Sequence, residues 1–475
     1  MSSTLLPPDS RGRELWCGEA DYETARRDAV WNARKPDRGP DLIVQAASEQ
    51  DVSAAMDYAR GRGMKVAVRA GGHSLWGSAL REGGLLIDLS RMREVSIDPR
   101  QRTATLEPGV TALDLATALA EQGLAFPVGH CATVALGGYL LAGGLGWNLG
   151  TWGPACSSLE SLELVTAEGA LVTADAHHHA DLFWAARGSG TGFFGVATRF
   201  TVRLYPAPPA IRTSSLVHPL TAVPAVGAWL DRVAPVLPDS VELRVLIRAN
   251  APANGSLGGT GGLEVGAIAF GDSAGEADRS LHQVFHQLMA ETGAARAPDA
   301  TTTLPGLLDA SPPLLPEGRR YSGDALWSDA PAGDLLHHIA RAAADAPSDE
   351  SVILVCPSPP LLRGGRLPDA AFSMTGKTLV LPYAIWADEM ADQRNREWLS
   401  TLTTTLGPLT HGHYVGEADL DRHPSRSVRS FAPANWERLR ALRAVHDPQG
   451  IFHSFPGSDG QPRQRPANIP SSWET

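Results

Sequence analysis

Glycine is crowded into three short segments of the first 200 residues, and these limit the fold more than any other feature. They read RAGGHS (69–74), GHCATV with GGYLLAGGLGW close behind it (129–134 and 137–147), and GSGTGFFG (188–195). Consecutive glycines let backbone N–H groups converge on an anion, because no Cβ blocks the approach. The same density lets a loop lie flat against a planar or phosphorylated ligand. Short elements frame these loops. KVAV (65–68) reads as a strand running into the first, DLFWAAR (181–187) as a helix before the third, and VATRFTVRLYP (196–206) as a strand after it. The first ~205 residues alternate such short helices and strands, with further strands at 85–90 and 103–107 and a hairpin over 162–174 turning at Glu168-Gly169. Ser48 and Asp51 open a helix whose apolar face is Val52, Ala55, Met56 and Ala59; Thr111 and Asp114 open another.

At 475 residues the chain is too long for one compact core, so two or three lobes are expected. PAPPA (206–210) marks a plausible boundary. Beyond it, strands at 241–249, 263–271, 351–358 and 378–388 and helices around Leu281–Leu288 and 391–406 predict a sheet backed by helices. A last helix carries Trp436, Leu439, Leu442 and Val445 and stops at DPQGIF (447–452); the Pro-rich stretch beyond ~458 reads as a loose end. A net charge of -11 argues against nucleic acid and anionic membrane as partners, since both need a basic face. Four cysteines do not make a disulfide framework in a chain this long. The start lacks a secretory signal pattern and no apolar run of ~20 residues appears, so a cytoplasmic protein is expected.

Residue chemistry alone leaves the loops open to more than one reading. RAGGHS suits a pyrophosphate, with Ser74 as an added donor, but also suits a tight turn with a surface histidine. Cys131 can be a small buried apolar residue or a nucleophile, and spacing does not decide. Residues 190–195 match a three-glycine dinucleotide pattern, yet here the helix precedes the glycines and the strand follows, the reverse of what a Rossmann unit needs. His177, His178 and His179 are neighbours that cannot all aim at one metal, so a polar turn is expected and no metal site. No nucleophile elbow, paired CxxC or HExxH occurs.

Taken in order, RAGGHS, GHCATV and DLFWAARGSG with GVATRF resemble the FAD-linked oxidases of the vanillyl-alcohol-oxidase superfamily, and more narrowly its berberine-bridge-enzyme-like branch. The resemblance covers residues 36–206 strongly and 411–455 more loosely. It implies an α+β fold: a two-lobed, PCMH-type FAD-binding domain over 1–206, an antiparallel-sheet substrate domain backed by helices over 207–410, and a C-terminal segment over 411–475 that returns to the FAD domain. It implies FAD held by two covalent bonds, from His73 to the 8α-methyl carbon and from Cys131 to carbon 6 of the ring. Arg69, Ala70, Gly71, Gly72, Ser74 and Gly77 would cradle the pyrophosphate. Thr133, Val134, Gly138, Tyr139, Gly143, Gly144, Tyr414 and Phe452 would line the flavin, and Val196 would sit near the adenosine.

The chain departs from the family pattern in places. Ala142-Gly143-Gly144-Leu145-Gly146 stands for GGGxG, Gly150 for a usual arginine, and Ser157-Ser158 for an acidic-amide pair. Where relatives carry YxNY, this chain has Tyr414, Gly416 and Glu417. The resemblance implies oxidation of an alcohol or amine on a small, partly apolar natural product, with dioxygen reoxidising the flavin. Glu417 and Tyr414 are the candidate bases; Tyr139, Tyr383 and Trp386 are candidate pocket walls. A flavin dehydrogenase, an oxidative cyclase, a sugar oxidase and a non-catalytic flavin carrier are the alternatives.

Overall fold

The computed structural model describes residues 5–248, 262–294, 299–311, 314–365 and 367–457. The expected loop between the strands near 241 and 263, and the Pro-rich end, lie outside them.

The fold is α+β. The first sheet has four strands in the order Arg13–Trp16, Leu42–Gln45, Leu85–Asp88, Val66–Arg69. The last three run parallel, and parallel strands are buried on both faces; Leu42, Ile43 and Val44 are accordingly inaccessible. The helix Glu49–Arg62 covers this sheet with the predicted face of Val52, Ala55, Met56 and Ala59. Ser48 caps it by accepting from the Asp51 N–H, and Gly63 ends it at φ 64°. The Asp51 carboxylate takes the Ala47 N–H and the Ser10 hydroxyl rather than the Ser48 backbone, so only half of a capping box forms. Thr111 and Asp114 form the complete box.

A second sheet is antiparallel, in the order Val95–Asp98, Thr103–Leu106, Val196–Arg203, Leu159–Val165, Leu171–Asp175. It contains the predicted hairpin, and Gly169 supplies the positive φ at its turn.

A nine-stranded antiparallel sheet forms the other lobe. Its strands include Ala210–His218, Leu263–Gly271, Val241–Arg248, Val352–Pro357 and Thr378–Trp386, paired in that order. Alternation decides its two faces. Leu243, Val245 and Ile247 pack beneath helices Val223–Val233, Ala274–Thr292, Ala332–Ala344 and Asp392–Thr405. Glu242, Arg244 and Leu246 turn the other way, toward the first lobe. Trp386 joins the helix-backed core and donates to Asp392 at 2.7 Å, so it is no wall of the cavity, contrary to the sequence expectation. Val445 is likewise exposed, and Leu439 is the buried anchor of the helix Pro433–His446.

After that helix the chain returns to the first sheet. Asp447 accepts from the N–H groups of Ile451 and Phe452, Gly450 adopts φ 62°, and Val66 donates to Ile451 O at 2.8 Å. Among the described residues, no helix is long and apolar enough to cross a membrane.

Candidate active site

A cavity of about 740 Å³ lies between the lobes, lined by the first two glycine loops on one side and the nine-stranded sheet on the other. Residues 71–76 wind past it with none of their backbone N–H groups donating to another described residue. The loop's shape depends on two glycines. A Cβ on Gly71 would stand 2.7 Å from the Ala135 Cβ, and one on Gly72 would stand 2.4 Å from the Ala29 carbonyl. Gly72 also holds φ +73°, which L side chains rarely adopt. Arg69 turns its guanidinium away to Asp88 at 2.7 Å and to the Asp28 carbonyl, so it shapes the loop while the open N–H groups face the cavity. A row of unpaired N–H groups on a backbone without side chains is what a pyrophosphate needs. Thr191, from the third loop, adds a buried hydroxyl on the wall that has no partner. The residues present therefore fit FAD.

His73 and Cys131 meet at one hydroxyl. Thr133 Oγ1 is 3.1 Å from His73 Nε2 and 3.7 Å from Cys131 Sγ. Trp31 stacks on the His73 ring at 4.8 Å and 22°. Burial lowers the His73 pKa to about 4, with Arg69 adding to the shift and the Thr133 contact opposing it, so the ring is neutral near pH 7. Cys131 is half-buried.

At the other side of the cavity, Gly412–His413 pairs with Leu326–Ser328 and delivers the turn that carries Tyr414 and Glu417. Beneath it, Asp324 is fully buried and pairs with His413 at 3.1 Å and Arg426 at 2.9 Å. The Tyr383 hydroxyl donates to Glu417 Oε2. Burial raises the Glu417 pKa, the Tyr383 bond opposes the shift, and Asp324 reinforces it. Tyr414 accepts the Gly144 N–H at 3.2 Å, and burial with the nearby Glu417 raises its pKa far from the range of a useful base.

Most of the expected residues border the cavity: Arg69, Ala70, Gly71, Gly72, His73, Ser74, Gly77, Cys131, Val134, Gly138, Tyr139, Tyr383, Tyr414, Glu417 and Phe452. Besides Trp386, four lie off its wall. Thr133 reaches it only through its hydroxyl contacts. Gly143 and Gly144 pack behind it, against Phe372 and Ala155. The Val196 side chain is inaccessible in the core, and its neighbours Gly195 and Ala197 border the cavity instead. Tyr139 spends its hydroxyl on the Pro127 carbonyl at 2.6 Å. Sequence reasoning missed Trp31, Glu242 and Arg244. The last two had a signal: two charges at alternate positions at the start of VELRVLIR, with Arg248 as its only other charge. Among the described residues, no group of His, Cys, Asp or Glu is arranged to hold a metal.

Comparison with known proteins gives the same picture. The family described as FAD binding domain matches residues 40–175. The FAD-linked oxidoreductase nodO of Hypoxylon pulicicidum is 32% identical over 454 residues, covering 92% of this chain and 95% of that protein. In fold, the chain is similar to 6-hydroxy-D-nicotine oxidase from Arthrobacter nicotinovorans, with a TM-score of 0.81 at 20% identity over 96% of this chain and 98% of that one. The BBE-like 1 protein of Physcomitrella patens superposes with a TM-score of 0.81 at 19% identity, over 94% and 97%. The glycine loops, the cleft between the lobes and these relatives agree: the chain belongs to the FAD-linked oxidoreductases, and its fold is that of the berberine-bridge-enzyme-like proteins.

Proposed function

We propose that the protein oxidises an alcohol, or an amine, on a small and partly apolar natural product, with FAD bound covalently through His73 and Cys131 and dioxygen as the final acceptor. One observation carries this reading. A single cavity has an anion-ready glycine loop with His73 and Cys131 on one side, a buried Tyr383–Glu417 pair on the other, and a wall of Leu354, Leu379 and Leu381. When bound, FAD supplies a ring that takes hydride from the donor carbon and hands the electrons on to dioxygen, giving hydrogen peroxide.

The chain's residues have separate tasks. The N–H groups of residues 71–76 hold the pyrophosphate, and Ser74 adds a hydroxyl. The neutral imidazole of His73 presents a free lone pair, and the Thr133 hydroxyl between it and Cys131 orients both. Glu417 takes the proton from the substrate hydroxyl or amine, and Tyr383 steadies its carboxylate by donating to it. Tyr414 positions the turn that carries Glu417 by accepting from Gly144. The division of labour is assigned along the domain plan read from the sequence: cofactor on 1–206, substrate on 207–410, and a C-terminal segment that returns to the first sheet at residues 451–453.

The test is anaerobic mixing of the purified protein with a panel of hydroxylated and aminated aromatic and terpenoid compounds. The yellow absorbance should bleach, and admitting air should restore it with one peroxide per turnover. Bleaching without recovery in air would favour a dehydrogenase. Rapid turnover of glucose, cellobiose and chitobiose would contradict a partly apolar donor, and no bleaching by any alcohol or amine would contradict the reaction itself.

A further inference from the structure

The substrate side of the cavity holds a guanidinium that the proton transfer above does not use. Arg244 turns to the cavity because its strand neighbours Leu243 and Val245 are in the helix-backed core. In register it faces Gly266, which in turn faces Ser215. The missing side chain at Gly266 makes a trough for it: a Cβ there would lie 3.2 Å from Arg244 Nε and 3.5 Å from its Cγ. Among the described residues, Arg244 makes no hydrogen bond and no ion pair.

The neighbouring carboxylates do not neutralise it. Glu242 accepts the Leu149 N–H at 3.1 Å, tying the lobes together, and burial pushes its pKa up to about 7. Glu264 reaches the far edge of the Gly266 trough, 3.6 Å from the same Cβ position, without closing an ion pair on Arg244. His130 borders the same space; burial and Arg244 lower its pKa to about 4, so it is neutral. A guanidinium facing a largely apolar cavity is best satisfied by a planar carboxylate taking two parallel N–H donors. A single fixed cation, with carboxylates nearby, suits a monoanion better than a phosphate dianion.

We propose that Arg244 is a specificity residue that binds a carboxylate on the substrate, so the donor class is an amphipathic hydroxy or amino carboxylic acid. This rests on the reaction proposed above and adds the substrate's second functional group. The strand of Arg244 is separated from that of Tyr383 by one intervening strand, Val352–Pro357, roughly 10 Å across the sheet, and the register sets Arg244 level with Cys356 and Leu379, four residues short of Tyr383, which adds roughly 13 Å along the strands. The carboxylate is therefore remote from the oxidised carbon, with an apolar body between them on Leu354, Leu379 and Leu381. An α-hydroxy acid is too short.

Calorimetric titration of the purified full-length protein tests this, with hexanoate and 4-phenylbutanoate as probes and their primary amides as neutral counterparts. The acids should bind at least tenfold more tightly than the amides. Arg244→Met should abolish that preference and Arg244→Lys should keep part of it, with visible absorbance per protein unchanged in both. No binding of either acid, equal affinity for acid and amide, a preference that survives Arg244→Met, or tighter binding of hexyl phosphate than of hexanoate overturns the proposal. The acid–amide comparison on the unmodified protein stands even if a variant fails to fold. Calorimetry reads binding whether or not the protein is yellow. A colourless protein with an Arg244-dependent acid preference refutes the flavin reaction alone. A protein that bleaches with alcohols but ignores the carboxylate refutes the Arg244 assignment alone.

Discussion

The Tyr383 hydroxyl donates to the Glu417 carboxylate on the cavity wall, and burial raises the pKa of both. Replacing Glu417 with Gln keeps the shape and removes the base, so flavin reduction should slow by about tenfold or more in anaerobic stopped flow. An unchanged rate would take Glu417 out of the mechanism. Tyr383→Phe is a finer probe. Its hydroxyl lowers the Glu417 pKa, so its loss should raise that pKa further. The ionised form is the active one, and the rising limb of kcat/KM against pH should move to higher pH in Tyr383→Phe; a limb that stays in place would mean the pair is only structural. His73 and Cys131 could be read from the sequence because each sits in a local glycine motif. Tyr383 could be named only as a wall, because its bond to Glu417 spans 34 residues and exists only in the folded chain.

Among the elements, the first glycine loop and the strand Val241–Arg248 set the opposite walls of the cavity. Gly72→Ala must place a Cβ against the Ala29 carbonyl and hold a positive φ, at a cost of at least ~2 kcal/mol. The variant should lose bound FAD, measured as visible absorbance per protein, and full retention would contradict the cradle. Glu242 carries a pH prediction. Its pKa is raised on folding, so the folded state binds the extra proton and stability falls as pH rises from the ordinary carboxyl value toward about 7. Glu242→Gln keeps an acceptor for Leu149 without the buried charge. Its Tm relative to the parent should therefore be higher at pH 8 than at pH 5, by roughly 1–2 °C; a difference that is the same at both would contradict the shift. Strand positions were legible because VELRVLIR opens with alternating charge and LEVGAIAFG is a short apolar run that ends at a glycine. Their order in the sheet was not, since antiparallel neighbours are chosen by packing across the whole lobe, and that same packing drew Trp386 into the core.

Across the whole molecule, a few buried hydrogen bonds hold the two sides of the cavity in register. Asn32 donates to the Leu75 carbonyl at 2.8 Å and to the Tyr321 carbonyl at 2.9 Å, and accepts the Tyr321 N–H at 2.9 Å. It thus ties the His73 loop to the substrate sheet, while Arg38 pairs with Asp421 at 3.0 Å nearby. Asn32→Ala leaves a buried N–H unpaired, a loss of about 1–3 kcal/mol before the other bonds are counted. Calorimetric Tm should fall by several degrees, and an unchanged Tm would show that the lobes are held elsewhere. The α+β plan was legible from three motifs in order. Asn32 was not, because a polar residue in a connecting segment gives no sign of bridging partners 43 and 289 residues away.

The central claim is that His73 and Cys131, joined at one hydroxyl, each bond a single flavin. Mass spectrometry of the acid-denatured protein measures this directly. The account predicts the polypeptide plus one FAD for the parent, the same added mass in His73→Ala and in Cys131→Ser, and the bare polypeptide for the double variant. A parent protein that runs at the bare polypeptide mass, after expression with ample riboflavin, would contradict it.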